Sequence, residues 1–307
     1  MNDDFSEDSS ASYDPFDEAP EELAETWAQG LEGQALEIVS SPSSRQCIQA
    51  GPGTGKSFCT TRRLLRLIEL KIVKPESVLA VTFTRTAAND LRRSLDKNLP
   101  KEYRGYRACT LHSLCYDIVR SEDYAQVRDR HPRFILTASK SSNLGYEGAP
   151  LLADLKNDHG TATHQSRKIR EYEAMWAKRQ QDPLGSPSND GDAKYQAALL
   201  AWLTFHKGML VGELLPLTYE YLSGEPDSPW RNRYKAILVD EYQDLNKVDQ
   251  EVIGLLSSSD ECLMSVVGDL DQSIYSFRHA HPDGLTEYSK RPGVEPLTMK
   301  VSRRCPT

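Results

Sequence analysis

CIQAGPGTGKSFCTTRRLLRLIEL, residues 47–70, reads as a short apolar strand, a glycine-rich turn and an amphipathic helix. The turn follows the pattern of a phosphate-binding loop, with Ala50 standing where the strict pattern has its first glycine. Gly51, Gly53 and Gly55 allow backbone N–H groups to converge on phosphate oxygens in conformations that a Cβ would hinder. Lys56 supplies a point charge for the β- and γ-phosphates, and the Ser57 hydroxyl is a ligand for Mg²⁺. The helix that starts here adds the positive end of its dipole. Pro52 and Thr54 complete the loop, so the whole run Ala50 to Ser57 is assigned to a nucleotide.

Such a loop needs a second strand ending in carboxylates, and ILVDEYQD (residues 237–244) supplies it. Four apolar residues carry Asp240 and Glu241 to the strand's C-terminal end, where ligands sit in open α/β sheets. Asp240 is expected to hold Mg²⁺, directly or through water. Glu241 is expected to orient and deprotonate an attacking water. Together the two motifs point to an NTP hydrolase.

Around them strands and helices alternate. SVLAVTF (77–83), AILVD (236–240) and CLMSVVGD (262–269) are nearly continuous apolar runs, as in strands buried on both faces. LTMKV (297–301) and a short stretch near 108–111 add two more strands, and helices are expected over 56–70 and about 87–95. This alternation predicts an α/β fold with a parallel sheet. Between about Ser121 and Arg231 buried-strand signals vanish and charge rises. There Tyr195, Leu199, Trp202, His206 and Met209 recur at helical spacing, and Leu214 to Leu222 reads as another short helix. DPLGSPSNDGD (182–192) is a loop by composition. The region is expected to be a helical insertion.

The chain has 307 residues, 45 Asp+Glu against 37 Lys+Arg, and a net charge of -8, which as a bulk figure argues against a nucleic-acid binder. The charge is uneven. Twelve acids and no Lys or Arg precede Arg45, leaving 33 acids against 37 bases and a body of net +4. Residues 1–26 are too poor in apolar surface to offset ordering entropy, so a disordered leader is expected. No apolar run approaches the roughly 18 residues of a membrane span. The acidic N-terminus has no apolar segment of the kind a signal peptide needs. Six cysteines lie scattered with no CxxC pair, as expected of reduced thiols in a cytoplasmic protein.

Six ordered blocks resemble the UvrD/Rep-type superfamily 1 DNA helicases. They are Gln34, AGPGTGKS (50–57), VTFTRTAANDLRRSL (81–95), TLHSL (110–114), VDEYQD (239–244) and GDLDQSIYSFRHA (268–280). The resemblance implies a RecA-like P-loop core flanked by helices, with ATP and Mg²⁺ as cofactors. It makes Gln34 the adenine reader, Gln272 the γ-phosphate sensor and Arg304, in SRRCP, a γ-phosphate arginine. Phe83, His112, Phe277 and Arg278 become contacts to single-stranded DNA, with Phe277 stacking on a base. The implied layout is a leader over 1–26, a discontinuous core over 27–120 and 232–300, an insertion over 121–231, and the start of a second core over 301–307.

Several positions depart from the family pattern. Arg303 stands where a tyrosine usually stacks on adenine, Phe58 follows Ser57 where some members place an arginine, His279 replaces a glycine, and Arg85-Thr86 replaces Asn-Lys. The expected function is the ATP-binding motor half of a helicase that moves 3′ to 5′ on single-stranded DNA or at a duplex–single-strand junction. A second motor core, in cis or in trans, would complete it, and membranes are not among the expected partners. A nucleotide-gated DNA- or protein-binding module without catalysis is the alternative. A P-loop kinase fits the DEYQD and DQSIYSFR strings poorly.

Overall fold

Six parallel strands form the main sheet: β1 (Arg45–Ala50), β2 (Val78–Thr82), β3 (Arg107–Thr110), β6 (Ala236–Val239), β7 (Leu263–Gly268) and β8 (Glu295–Met299). The computed structural model describes residues 26–99, 101–128, 132–136, 151, 154–179, 190–272 and 280–302. The expected disordered leader therefore lies outside the described residues, apart from Thr26.

The spatial order is β3-β2-β6-β7-β1-β8. All five residues of β2 and all four of β6 are buried, which is why both read as unbroken apolar runs. Alternate side chains of β2 serve opposite layers. Leu79 and Val81 join Ile237, Val239, Met264 and Val266 in one core, while Val78 and Ala80 join Ile48, Leu238 and Val267 in the other. Helices α1 (Gln34–Ser40), α2 (Lys56–Glu69) and α3 (Arg85–Asn98) cover the second face.

Helix α3 is longer than the apolar pattern indicated. The Thr84 side chain accepts from Ala87 N at 3.1 Å, and this cap starts the helix directly after β2. Thr110 likewise caps α4 (Leu111–Val119) and Ser121 caps α5 (Glu122–Val127).

The middle of the chain is mainly helical, with α6 (Lys156–His159), α7 (Ala162–Lys178), α8 (Asp190–Phe205), α9 (Leu214–Gly224) and α10 (Pro229–Asn232). It also holds two short parallel strands that the pattern did not signal, β4 (Phe134–Leu136) and β5 (Gly208–Leu210). Three residues are too few to show a period. The expected helical stripe is correspondingly cut short. Tyr195 and Leu199 are buried on α8, but the helix stops at Phe205, Lys207 turns with φ +54°, and Met209 is buried within β5.

Leu136, Ile169, Tyr172, Met175, Tyr195 and Leu203 build a separate apolar cluster there. Helix α9 instead packs on α4 and on α11 (Lys247–Leu256), sharing the core of the main sheet through Leu214, Leu215, Tyr221 and Leu222. The expected 182–192 loop lies largely outside the described residues, since α8 begins at Asp190.

Among the described residues Cys47, Cys109, Cys115 and Cys262 are free thiols. Among the described residues no helix is long and apolar enough to cross a membrane.

Candidate nucleotide-binding site

Strand β7 lies between β1 and β6, so three loops meet at the C-terminal edge of the sheet: the glycine loop after β1, the acidic turn after β6 and the Asp269–Gln272 turn after β7. This is where the crossover topology of an open parallel sheet leaves a crevice.

In the first loop Gly53 and Gly55 have φ of +73° and +94°, conformations that an L side chain adopts at a cost. Thr54 folds the turn by donating from Oγ1 to Gly51 O at 2.8 Å. Gly55 then caps α2, so Lys56 and Ser57 occupy its first turn, where the free backbone N–H groups lie.

The acidic turn opens with Asp240, whose N–H still pairs with Val81 O at 2.9 Å, and continues with Glu241 in the left-handed region at φ 52°, ψ 46°. For a residue with a Cβ that conformation costs about 1–2 kcal/mol. Glu241 N donates to Asp240 Oδ1 at 3.0 Å. The Glu241 carboxylate accepts from Lys56 Nζ at 3.3 and 3.1 Å and from Gln243 Nε2 at 2.8 Å. Gln243 in turn accepts from Asp269 N at 2.9 Å through its Oε1. The side chains of Lys56, Glu241 and Gln243 thus tie all three loops together.

Gln243 was not singled out by sequence reasoning, which stopped at the two carboxylates before it. Its role depends on a tertiary contact: a Cβ at Gly268 would stand 2.6 Å from Gln243 Oε1 and 2.9 Å from Leu285 Cδ2. The glycine next to an aspartate at the end of β7 was the available signal.

Burial and the neighbouring Glu241 charge push the Asp240 carboxyl up to about 6, and the same two causes hold Asp244 at about 6. Asp244 Oδ1 and Asp269 Oδ2 are buried without a protein hydrogen-bond partner. Ser57 and Asp240 offer hard oxygen donors of the kind Mg²⁺ takes alongside phosphate oxygens and water. Among the described residues no cluster of three His, Cys, Asp or Glu is arranged to hold a metal by itself.

Gln34 begins α1, and its Oε1 accepts from Lys300 N at 3.2 Å. Beside it lies a cleft of about 270 Å³ lined by Glu32, Gly33, Gln34, Ala35, Thr54, Met299 and Val301. The cleft therefore adjoins the glycine loop through Thr54. Phe58 is exposed at the start of α2, with the Arg62 guanidinium 5.1 Å from its ring centroid.

Phe83 and His112 follow β2 and β3, whose Thr82 and Thr110 are register partners. Both residues consequently stand at the C-terminal edge of the sheet, Phe83 packed partly against the core and His112 exposed. Gln272 closes the short turn after β7. Phe277, Arg278, His279, Arg303 and Arg304 lie outside the described residues, as does the Gln272 side chain.

A family model described as the UvrD/REP helicase N-terminal domain matches residues 31–292. The chain is 30% identical to the ATP-dependent DNA helicase Rep of Escherichia coli over 88% of its own length and 40% of that protein. It is 28% identical to the probable DNA helicase II homolog of Mycoplasma capricolum, covering 85% of the chain and 37% of that protein. It is 25% identical to the ATP-dependent DNA helicase PcrA of Staphylococcus aureus, over 83% and 35% respectively. The chain thus spans about two fifths or less of the length of these relatives.

Proposed function

The chain belongs to the UvrD/REP helicase family, matched over its N-terminal domain, and we propose from this that it is the ATP-hydrolysing motor core of a DNA helicase that moves 3′ to 5′ on single-stranded DNA. The observation that carries the reading is the Lys56–Glu241–Gln243–Asp269 chain, which joins the phosphate-binding loop, the acidic strand end and the turn after β7.

Bound ATP with Mg²⁺ supplies the scissile phosphoanhydride and a cation that neutralises charge developing on it. Ser57 and Asp240 would hold the cation, and the backbone N–H groups of Ala50 to Ser57, Pro52 excepted, would cradle the phosphates. Lys56 exchanges the Glu241 carboxylate for phosphate oxygens. Glu241, kept in place by Gln243, is then free to accept a proton from water.

Gln272 and Arg304, matched by resemblance, sense and stabilise the γ-phosphate. Gln34 reads the base in the cleft beside Met299. Phe83 and His112 contact the strand at the sheet's C-terminal edge; Phe277 and Arg278 are assigned to it by resemblance alone, with Phe277 stacking on bases, a contact worth about 1–3 kcal/mol and indifferent to sequence. In this reading the core comprises residues 27–120 and 232–300, and 121–231 is the insertion.

The test is phosphate release by the 307-residue chain with and without single-stranded DNA. An arginine presented from a second core is worth about 10³–10⁵ in rate, so turnover by this chain alone is expected at least about 10³ below that of a two-core enzyme. ATP-dependent strand affinity with no phosphate release in any condition would move the assignment to a nucleotide-gated binding module.

A further inference from the structure

Arg63 is 3% exposed and sits on α2, the helix that begins with the phosphate loop. Among the described residues its guanidinium makes no ion pair within 4 Å, though the Glu295 carboxylate lies close enough to favour its charge. Nη1 donates to Val39 O at 2.9 Å and to Ser41 O, and Nη2 donates to Ser43 O at 3.0 Å. These carbonyls belong to the last turn of α1 and the loop that follows it. Burial pulls the guanidinium down to about 10, so it stays charged at neutral pH. Both terminal nitrogens are thus spent on backbone carbonyls, while Nε is buried without a partner, and the cation also matches the negative end of the α1 dipole.

The same loop is tied to the opposite wall of the base cleft. Ser41 Oγ donates to Glu295 Oε2 at 2.5 Å, at the start of β8, and Met299 at the end of β8 lines the cleft. At its other end α1 meets β8 again through the bond from Lys300 N to Gln34 Oε1. The cleft's three sides, Gln34–Ala35, Thr54 and Met299, therefore ride on α1, the phosphate loop and β8, and Arg63 ties the end of α1 to the helix that follows the phosphate loop.

We propose that Arg63 is a positioning residue for nucleobase recognition: it fixes the register of α1 on the phosphate-loop helix and so sets where Gln34 meets the base. This rests on the function proposed above. Arg63 touches neither base nor phosphate, and its effect passes entirely through the 39–43 loop.

The experiment measures equilibrium affinities of the 307-residue chain for ATP, GTP and inorganic tripolyphosphate, each with Mg²⁺, for the wild type, Arg63→Lys and Ser41→Ala. Lysine keeps the charge but cannot fork to three carbonyls. Losing charge-assisted hydrogen bonds should weaken ATP about tenfold in Arg63→Lys and less in Ser41→Ala. Tripolyphosphate should stay within about twofold, so that the ATP preference over GTP collapses. Equal losses for ATP and tripolyphosphate, or an unchanged ATP-to-GTP ratio in both variants, would overturn the proposal. If Arg63→Lys does not fold, the ratio in Ser41→Ala decides alone. A wild type without ATP affinity would instead sink the proposed function itself.

Discussion

Lys56 Nζ, in the first turn of α2, lies 3.1 Å from Glu241 Oε2, beyond the end of β6. The two residues are 185 apart in sequence and are brought together by the strand order, which puts only β7 between their strands. The pair sets a lysine that should grip phosphate against the carboxylate that should activate water, each waiting on the other.

Glu241→Gln should separate these roles. The amide still accepts from Lys56 and Gln243 but cannot take a proton. Nucleotide affinity is expected to stay within a few-fold while phosphate release falls by about 10²–10⁴. Equilibrium titration with a fluorescent ATP analogue and a single-turnover phosphate assay read the two effects separately.

Gly268 and Gly254 should respond oppositely to alanine. At Gly268 the new Cβ meets Gln243 Oε1 at 2.6 Å, so Gln243 must leave Glu241 or Asp269, with an expected destabilisation of about 1–3 kcal/mol and slower phosphate release. At Gly254, inside α11, nothing lies within 4 Å, and Gly254→Ala should stabilise by up to about 1 kcal/mol with activity unchanged. Denaturant melts of both variants check the signs.

Asp249 gives the fold a pH dependence. It caps α11 reciprocally with Asn246, accepting from Asn246 N at 2.9 Å, yet its Oδ1 is buried without a partner. Burial pushes its carboxyl up to about 7 from an ordinary 3.8. The folded protein therefore holds a proton that the unfolded chain has released, and this group's contribution falls as pH rises from about 4 to about 7. Asp249→Asn keeps the cap without the charge. It should raise the melting temperature at pH 8 and leave it nearly unchanged at pH values near 4.

The leader should be dispensable up to residue 25 and no further. Trp27 is 7% exposed, its backbone N–H donates to Glu69 Oε2 at 3.1 Å, and the Arg66 guanidinium lies 5.5 Å from its ring centroid. Deleting residues 1–25 should leave both the melting temperature and the salt dependence of strand affinity unchanged, whereas Trp27→Ala should cost about 3 kcal/mol. A higher strand affinity at low salt and a steeper salt dependence after the deletion would instead mark the leader's acids as competitors for the DNA site.

Much of this site could be read before the fold was known, because its chemistry is local in sequence. The loop 50–57 and the strand end 237–244 each carry their own glycine, lysine or carboxylate pattern, and β2, β6 and β7 announce burial on both faces by unbroken apolar runs. What escaped notice depends on contacts between distant segments. Gln243 acquires its position from Gly268, and Arg63 becomes a clamp only when α1 lies across α2. Neither follows from spacing. Strands β4 and β5 were too short to leave a pattern, and Met209 looked helical because its spacing from His206 fits a helix that had already ended at Phe205.

The most direct test of the central claim is the affinity of the 307-residue chain for ATP with Mg²⁺, measured for the wild type and for Lys56→Ala. The account predicts saturable binding by the wild type and a loss of at least about tenfold in the variant, because Lys56 is the side-chain cation that the phosphate-binding loop itself presents to the β- and γ-phosphates. Equal affinity in both proteins would contradict it, and the nucleotide would have to lie elsewhere.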